Sequence, residues 1–322
     1  MAETDKSLSG DLHTSAELKE MQAWPLEWKI QVAQQKIAEW YDYYNGNVYV
    51  SFSGGKDSTV LLDLVRKIYP NVKAVFMDTG LEFPEIRDFV KTIENVEWVK
   101  PSMTFRAVIE RYGYPLISKE VAAKIYDYRN KPDGYAAQRF DPESDFNKRY
   151  NKKYSLAKYK WIADSDIPIS HRCCEVLKKH PAQRFDRESG LKPMLGTMAC
   201  ESGLRNSEWM KHGCNAFDAK HPTSKPLSIW TEQDVLRYLY QYKIPFSKIY
   251  GDIIEKDGKL CTTGRDRTGC VFCAFGAHLE KEPNRFQRLK ITHPQLWQYC
   301  MKPWEDGGLG MGGSPERNKC KN

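Results

Sequence analysis

The sequence predicts an α/β fold: a parallel, twisted sheet with helices on both faces, followed by a C-terminal segment that bears cysteines. Three observations predict it. Apolar, strand-like runs alternate with amphipathic, helix-like runs from Val48 to beyond Thr104. The first such strand stops on the turn Ser53-Gly54-Gly55-Lys56-Asp57-Ser58, and helical spacing follows at once. Regular patterning returns at about residue 190, after a polar stretch, and then gives way to a loop-rich end around Cys270-Val-Phe-Cys273. Alternating β and α units of this kind build parallel sheets covered on both sides.

Taken in order, residues 1–25 read as an N-terminal arm or capping segment. From Pro25 the apolar positions Leu26, Ile30, Ala33, Ile37, Trp40, Tyr41 and Tyr44 recur at helical steps. Gly46 is a suitable stop. A strand at Val48–Phe52 precedes a helix over 57–68, and a strand at Val72–Met77 precedes a helix starting near Pro84, a residue suited to a first helical turn. A third strand is expected at Val96–Val99, with a helix after Thr104. Residues 130–160 are rich in Asp, Pro, Asn, Lys and Tyr and read as an insertion or long loop. A helix is expected after Cys174, a strand at Pro193–Met198, and a helix at Thr231–Tyr242. From about residue 250 the chain reads as loops and short helices. The expected organisation is therefore an α/β domain over 26–250 and a C-terminal segment over 251–322, ending in a Gly-rich tail.

Composition bounds the function. Apolar residues make up 41 % and charged residues 28 %, ordinary for a globular protein. No apolar run approaches the roughly 20 residues of a membrane span. The start, MAETDKSLSG, lacks the order of a secretory signal. A cytoplasmic protein is the expectation. There, nine cysteines are thiols, metal ligands or catalytic groups rather than a disulfide framework. The net charge of +7 favours anionic partners in a general way.

The turn at Ser53 carries the most chemistry. Gly54 and Gly55 allow a tight turn and leave backbone amides uncovered. Those amides and the helix N-terminus behind them form an anion site. Ser53 and Ser58 add hydroxyls and Lys56 a charge. Asp57 is odd in a pure anion site and suits a Mg²⁺ ion bound to phosphates. The spacing is not that of a Walker A loop. The plainer reading is a Gly-containing turn beside solvated charges.

SFSGGKDS resembles the PP-loop of the ATP pyrophosphatase superfamily, the adenine nucleotide α-hydrolase-like fold. That resemblance implies that Ser53, Gly54, Gly55, Lys56, Asp57 and Ser58 hold the pyrophosphate part of ATP. It further implies cleavage between the α- and β-phosphates, adenylation of an acceptor, and displacement of AMP by a sulfur or nitrogen nucleophile. VFMDTGLEFPE, from Val75 to Glu85, is similar to a segment of the phosphoadenosine phosphosulfate (PAPS) reductase branch. It puts Asp78 and Thr79 at the carboxyl edge of the sheet, where open α/β sheets bind ligands. KPLSIWTEQDVLRYLYQYKIPFSKIYGD, from Lys225 to Asp252, resembles another signature of that branch. One departure stands out. The branch carries GxRxxESxxR; here Gly196 is followed by Met198 where the first arginine is expected, and only Arg205 matches. That removes one bidentate contact to phosphate or sulfate.

Cys173-Cys174 and Cys270-Val-Phe-Cys273 form a potential metal-binding set. Four thiolates suit zinc or an iron–sulfur cluster, and adjacent cysteines are awkward for one zinc tetrahedron. The arrangement resembles the [4Fe–4S] site of adenosine phosphosulfate (APS) reductases and of DNA-phosphorothioation ATP pyrophosphatases. His171 and Arg172 flank the first pair and either tune it or pack. Cys200 lies near the matched nucleotide segment. Cys320 invites comparison with the C-terminal nucleophile of those reductases, but the surrounding ERNKCKN does not match their motif.

KRYNKKYSLAKYKW, Lys148–Trp161, has six basic and four aromatic residues. It reads as a surface for nucleic acid or as a solvated loop. Together these readings imply an ATP-dependent, adenylating sulfurtransferase that acts on DNA or tRNA with Mg²⁺, a cluster and a sulfur donor such as a cysteine desulfurase. The alternatives are an APS or PAPS reductase that releases sulfite, and a nucleotide- and nucleic-acid-binding subunit of a larger complex.

Overall fold

The computed structural model describes residues 11–312. The chain divides into two compact units, each built from two stretches of sequence. One takes in the chain up to Pro101 and His180–Gly269; the other takes in Ser102–Lys179 and the chain from Cys270. The division differs from the expected boundary near residue 250, because residues 102–179 group with the C-terminal stretch.

The first unit holds a six-stranded sheet. Strands β1 (Val48–Ser51), β2 (Lys73–Met77) and β3 (Val96–Val99) are parallel neighbours, with β1 central. On the other side of β1 lies the parallel strand Lys192–Leu195, then Thr223–Ser224, with Asn215–Ala216 antiparallel at the edge. The middle strands are apolar because both faces are covered: Val48, Tyr49, Val50, Ala74, Val75 and Phe76 are all buried. The predicted α/β alternation therefore holds, with helices Lys56–Ile68, Pro84–Lys91, His180–Ser189 and Glu232–Gln241 between or after strands. Pro84 opens its helix as expected.

Three local features were not expected. The N-terminal segment contains the helix Ser15–Gln22, started by a capping box between Thr14 and Glu17. The stretch after residue 250 contains the hairpin Ile253–Lys256 and Lys259–Thr262. Its turn is Asp257-Gly258, both at positive φ (52° and 71°), the conformation this dipeptide favours. Residues 130–160 are not a plain loop. Short helices at Tyr135–Phe140 and Asp145–Arg149 precede one at Lys160–Ala163.

In the second unit, Phe140, Leu156, Ile162, Ala163 and Ile169 close on Val121, Ala122 and Ile125 of the helix Lys119–Asn130 as one apolar cluster. The buried Asn147 amide donates to the carbonyls of Gln138 and Asp141, at 2.9 and 2.6 Å, and ties the polar stretch together. The Gly-rich segment is packed where it is described: Leu309 is fully buried and its carbonyl accepts from the Tyr114 hydroxyl. Among the described residues no helix is long and apolar enough to cross a membrane.

Candidate anion site and cysteine set

The site in the first unit begins where β1 ends. Gly54 adopts φ +71°, and a Cβ there would meet Ile86 and Val90 of the helix Pro84–Lys91 at 2.8 and 2.9 Å. Only glycine satisfies both conditions. Gly55 then caps the helix Lys56–Ile68. The turn is laced by its own serines: Ser53 N–H donates to Ser58 Oγ, Ser53 Oγ and Ser58 Oγ lie 3.1 Å apart, and Ser58 Oγ donates to Gly55 O. Gly196 completes the packing, since a Cβ there would meet the Asp57 carbonyl at 2.9 Å. The first glycine of the Gly-x-Arg pattern thus lets the strand Lys192–Leu195 run on past the start of this helix.

Lys56 is almost fully buried and donates to Glu232 Oε1 at 3.1 Å. Its ammonium also lies 5.2 Å from the centre of the Tyr250 ring, a cation–π contact. Burial raises the Asp57 carboxyl above its ordinary range; Lys56, Arg267 and Arg205 oppose that shift and Glu232 adds to it.

Glu201 gathers the neighbouring cations. Its Oε1 accepts from Arg267 Nη2 at 2.6 Å, and its Oε2 pairs with Arg205 Nη1 and accepts from Met198 N–H. Ser202 caps the helix Gly203–His212 by accepting from Arg205 N–H. The Glu-Ser pair is therefore a fixture that orients the arginines. Cys200 is exposed, its thiol donates to the Trp230 carbonyl at 3.5 Å, and burial of the sulfur raises its pKa.

At the end of β2, Asp78 is buried; its Oδ2 accepts from Arg87 at 3.0 Å, while Oδ1 has no partner. A buried carboxylate oxygen without a donor is a place for a ligand N–H or O–H. Thr79 is occupied locally: Glu82 accepts from both its N–H and its hydroxyl. The Glu of DTGLEFPE thus shapes the turn.

The predicted residues Ser53–Ser58 form one turn at the end of β1, Asp78 and Thr79 lie at the end of the adjacent strand, and Arg205 pairs with Glu201. Sequence reading missed Glu201, Glu232, Tyr250 and Arg267. Their sequence distance from the turn hid them; Glu201 stood in the ESxxR match, and Glu232 and Tyr250 in the segment Lys225–Asp252.

All four predicted metal-ligand cysteines lie in the second unit. Cys173 and Cys174 open the helical segment that continues as a π-turn at Glu175–Lys179, a distortion often found at functional sites. The Cys173 thiol donates to the Cys174 sulfur at 4.0 Å. That contact holds Cys174 low and Cys173 high, with Lys119 also favouring the Cys174 thiolate and with Cys270 and Cys273 close enough to push Cys173 up. Cys270 and Cys273 sit on a turn closed by Cys273 N–H to Cys270 O at 3.1 Å, and Arg285 donates to the Cys273 carbonyl. None of the four is in a disulfide. His171 Nδ1 beside them is buried without a partner, and Arg172 pairs with Glu175.

Among the described residues no three His, Cys, Asp or Glu side chains converge on a point that would hold one ion.

The same unit carries the basic stretch. Tyr135, Phe146, Tyr150 and Tyr154 form a chain of ring contacts with centroids 5.1, 4.9 and 5.6 Å apart. Tyr135, Tyr150, Tyr154 and Trp161 are exposed. Lys153 and Lys158 lie over the rings of Tyr154 and Tyr159. Cys320 lies outside the described residues.

A profile of the phosphoadenosine phosphosulfate reductase domain family matches residues 47–115, which hold the turn Ser53–Ser58 and β1 to β3. An uncharacterized protein of Methanocaldococcus jannaschii is 27 % identical over 274 residues, covering 84 % of this chain and 43 % of that protein. The chain thus spans less than half the length of this relative. The adenosine 5′-phosphosulfate reductase of Staphylococcus haemolyticus is 23 % identical, covering 67 % of this chain and 70 % of that protein. Adenosine 5′-phosphosulfate reductase 2 of Bacillus subtilis is 26 % identical, covering 73 % and 86 %. A phosphate complex of the PAPS reductase from Candida auris aligns with a TM-score of 0.40 at 15 % identity, covering 73 % of this chain and 90 % of that one. Residues 47–115 thus match the PAPS reductase domain family, and the chain is similar beyond that match to proteins named adenosine 5′-phosphosulfate reductases.

Proposed function

We propose that the protein cleaves ATP between its α- and β-phosphates, adenylates an acceptor on nucleic acid, and so prepares that acceptor for sulfur transfer. The observation that carries this reading is the intact turn Ser53–Ser58 with Lys56 buried at a helix N-terminus. A helix N-terminus, two hydroxyls and one ammonium at the end of a strand suit a pyrophosphate leaving group. Asp57 would hold Mg²⁺ on the phosphates. The open oxygen of Asp78 would accept from the nucleoside. Arg205 would meet charge next to the pyrophosphate. An acceptor oxygen attacks the α-phosphorus, the α–β bridge breaks and pyrophosphate leaves. A sulfur nucleophile then takes the place of AMP.

Cys173, Cys174, Cys270 and Cys273 would hold a [4Fe–4S] cluster, which when bound would carry sulfur or order the acceptor. The exposed aromatic chain with its lysines supports a single-stranded or flipped nucleic-acid acceptor, DNA or tRNA, since bases stack on rings and phosphates pair with ammoniums. A cysteine desulfurase fits the role of sulfur donor.

A second reading, APS reduction to sulfite, is favoured by the names of the bacterial relatives. Met198 in place of an arginine and the intact pyrophosphate turn favour the first.

Anaerobically purified protein with Mg-ATP should release pyrophosphate and AMP, and DNA or tRNA should increase that release. Sulfite from APS without ATP cleavage would replace this reading with the second. Nucleotide binding with no turnover on any acceptor would point to a binding subunit.

A further inference from the structure

We propose that Arg267 is the second guanidinium of a two-arginine clamp for a tetrahedral oxyanion beside the phosphate turn, in place of the arginine that position 198 lacks. Met198 is 2 % exposed and offers no donor from its side chain. Glu201 nevertheless holds two guanidinium groups, those of Arg205 and Arg267, one on each carboxylate oxygen. A guanidinium has five N–H donors in a rigid fork. One carboxylate contact leaves much of each fork unused, and both side chains remain partly exposed, at 39 % and 64 %.

Two like charges held side by side on one carboxylate are a costly arrangement until a second anion arrives. The loop that carries Arg267 reaches the turn: a Cβ at Gly55 would meet the Tyr250 hydroxyl at 3.3 Å and Thr268 Oγ1 at 4.0 Å.

Arg267 is not on a loose strand. Gly264 N–H and Arg265 N–H donate to the carbonyls of Tyr250 and Ile249, at 2.8 and 3.0 Å. A Cβ at Gly264 would collide with that same backbone. On the other side, Thr268 Oγ1 lies 2.6 Å from the Tyr250 hydroxyl. Tyr250, whose ring also faces Lys56, thus pins the loop on both sides of Arg267. A guanidinium presented this way is preorganised, which is what bidentate recognition of phosphate or sulfate needs.

The oxyanion has two possible sources: the α-phosphate of the nucleotide, or a phosphate of the acceptor. The inference rests on the ATP reading only for the first source. The test is calorimetric titration of wild type, Arg267→Ala and Arg267→Lys with AMP, with pyrophosphate and with the APS anion. Turnover is measured in parallel against DNA or tRNA concentration.

The clamp predicts that Arg267→Ala weakens AMP binding at least tenfold, leaves pyrophosphate binding within twofold and does not lower the melting temperature. Arg267→Lys should recover only part of the loss, because an ammonium lacks the fork. Unchanged AMP binding with a tenfold higher KM for the nucleic acid would assign the oxyanion to the acceptor. Equal losses for AMP and pyrophosphate, or no loss in any titration or KM, would overturn the proposal. If wild type binds APS but neither ATP nor pyrophosphate, the ATP reading fails, and the clamp then stands or falls on a tenfold loss of APS affinity.

Discussion

The ammonium of Lys56 donates to Glu232 Oε1 at 3.1 Å, joining the starts of two helices that are 176 residues apart. The pair is lopsided. Lys56 is 5 % exposed and Glu232 51 %. A buried ammonium needs an anionic partner, and the exposed carboxylate can leave at little cost. On the proposed reading, Glu232 holds the place of a phosphate.

If so, Lys56 and Glu232 should differ sharply on substitution. Lys56→Ala should abolish ATP turnover with the fold intact by circular dichroism. Glu232→Gln should tighten pyrophosphate binding by up to about fivefold, the worth of one exposed ion pair. Weaker binding in Glu232→Gln would mean that this carboxylate acts on the ligand or its metal instead. Normal turnover in Lys56→Ala would sink the assignment of the turn.

Asp57 couples the site to pH. Burial raises its carboxyl pKa despite Lys56, Arg267 and Arg205. The folded chain therefore holds this proton more tightly than the unfolded chain. Below the unfolded pKa both states are protonated and nothing is lost; as pH rises through the unfolded and then the folded pKa, stability falls. Asp57→Asn removes that loss. It should melt higher than wild type at about pH 7, with the gap closing towards about pH 4, while turnover falls at least ~100-fold because the carboxylate proposed to hold Mg²⁺ is gone. A lower melting temperature at neutral pH would contradict the sign.

The family-like signature around Trp230 and Asp234 turns out to be structural. Asp234 accepts from Lys29 Nζ at 2.7 Å, and also from the N–H and hydroxyl of Thr231, so it caps its helix and neutralises a buried lysine at once. The Trp230 indole donates to the Lys29 carbonyl. Asp234→Ala would strand that ammonium and should cost about 3–5 kcal/mol, measured by urea unfolding. A cost below about 1 kcal/mol would show that water or another group rescues Lys29.

These residues also mark what the sequence could reveal. The sheet was legible because buried parallel strands are short apolar runs, and the phosphate turn because its chemistry is local. The Asp257-Gly258 turn was legible in principle, since that dipeptide selects the hairpin conformation it adopts. The small core around Phe140, Leu156 and Ile162 was not, because isolated apolar residues in a polar stretch have no period. Lys29 is buried on an apolar helix face that pattern alone would give to a hydrophobe. Glu232 and Arg267 are brought to the turn by tertiary structure, so no local pattern announces them.

The cysteine set gives the last prediction. Cys173, Cys174, Cys270 and Cys273 lie in one unit as thiols. Cys300 is in the same unit but is fully buried; burial pushes its thiol up to about 12, and its Sγ contacts Met311. Fully buried and outside the Cys-Cys and Cys-x-x-Cys pattern, it is the control. Anaerobically purified wild type should be brown and carry about four irons with equal acid-labile sulfide. Cys270→Ser and Cys173→Ser should each lose the colour and most of the iron, whereas Cys300→Ser should keep both. Stoichiometric zinc in wild type would replace the cluster with a mononuclear site. Iron retained in Cys270→Ser would remove that residue from the ligand set.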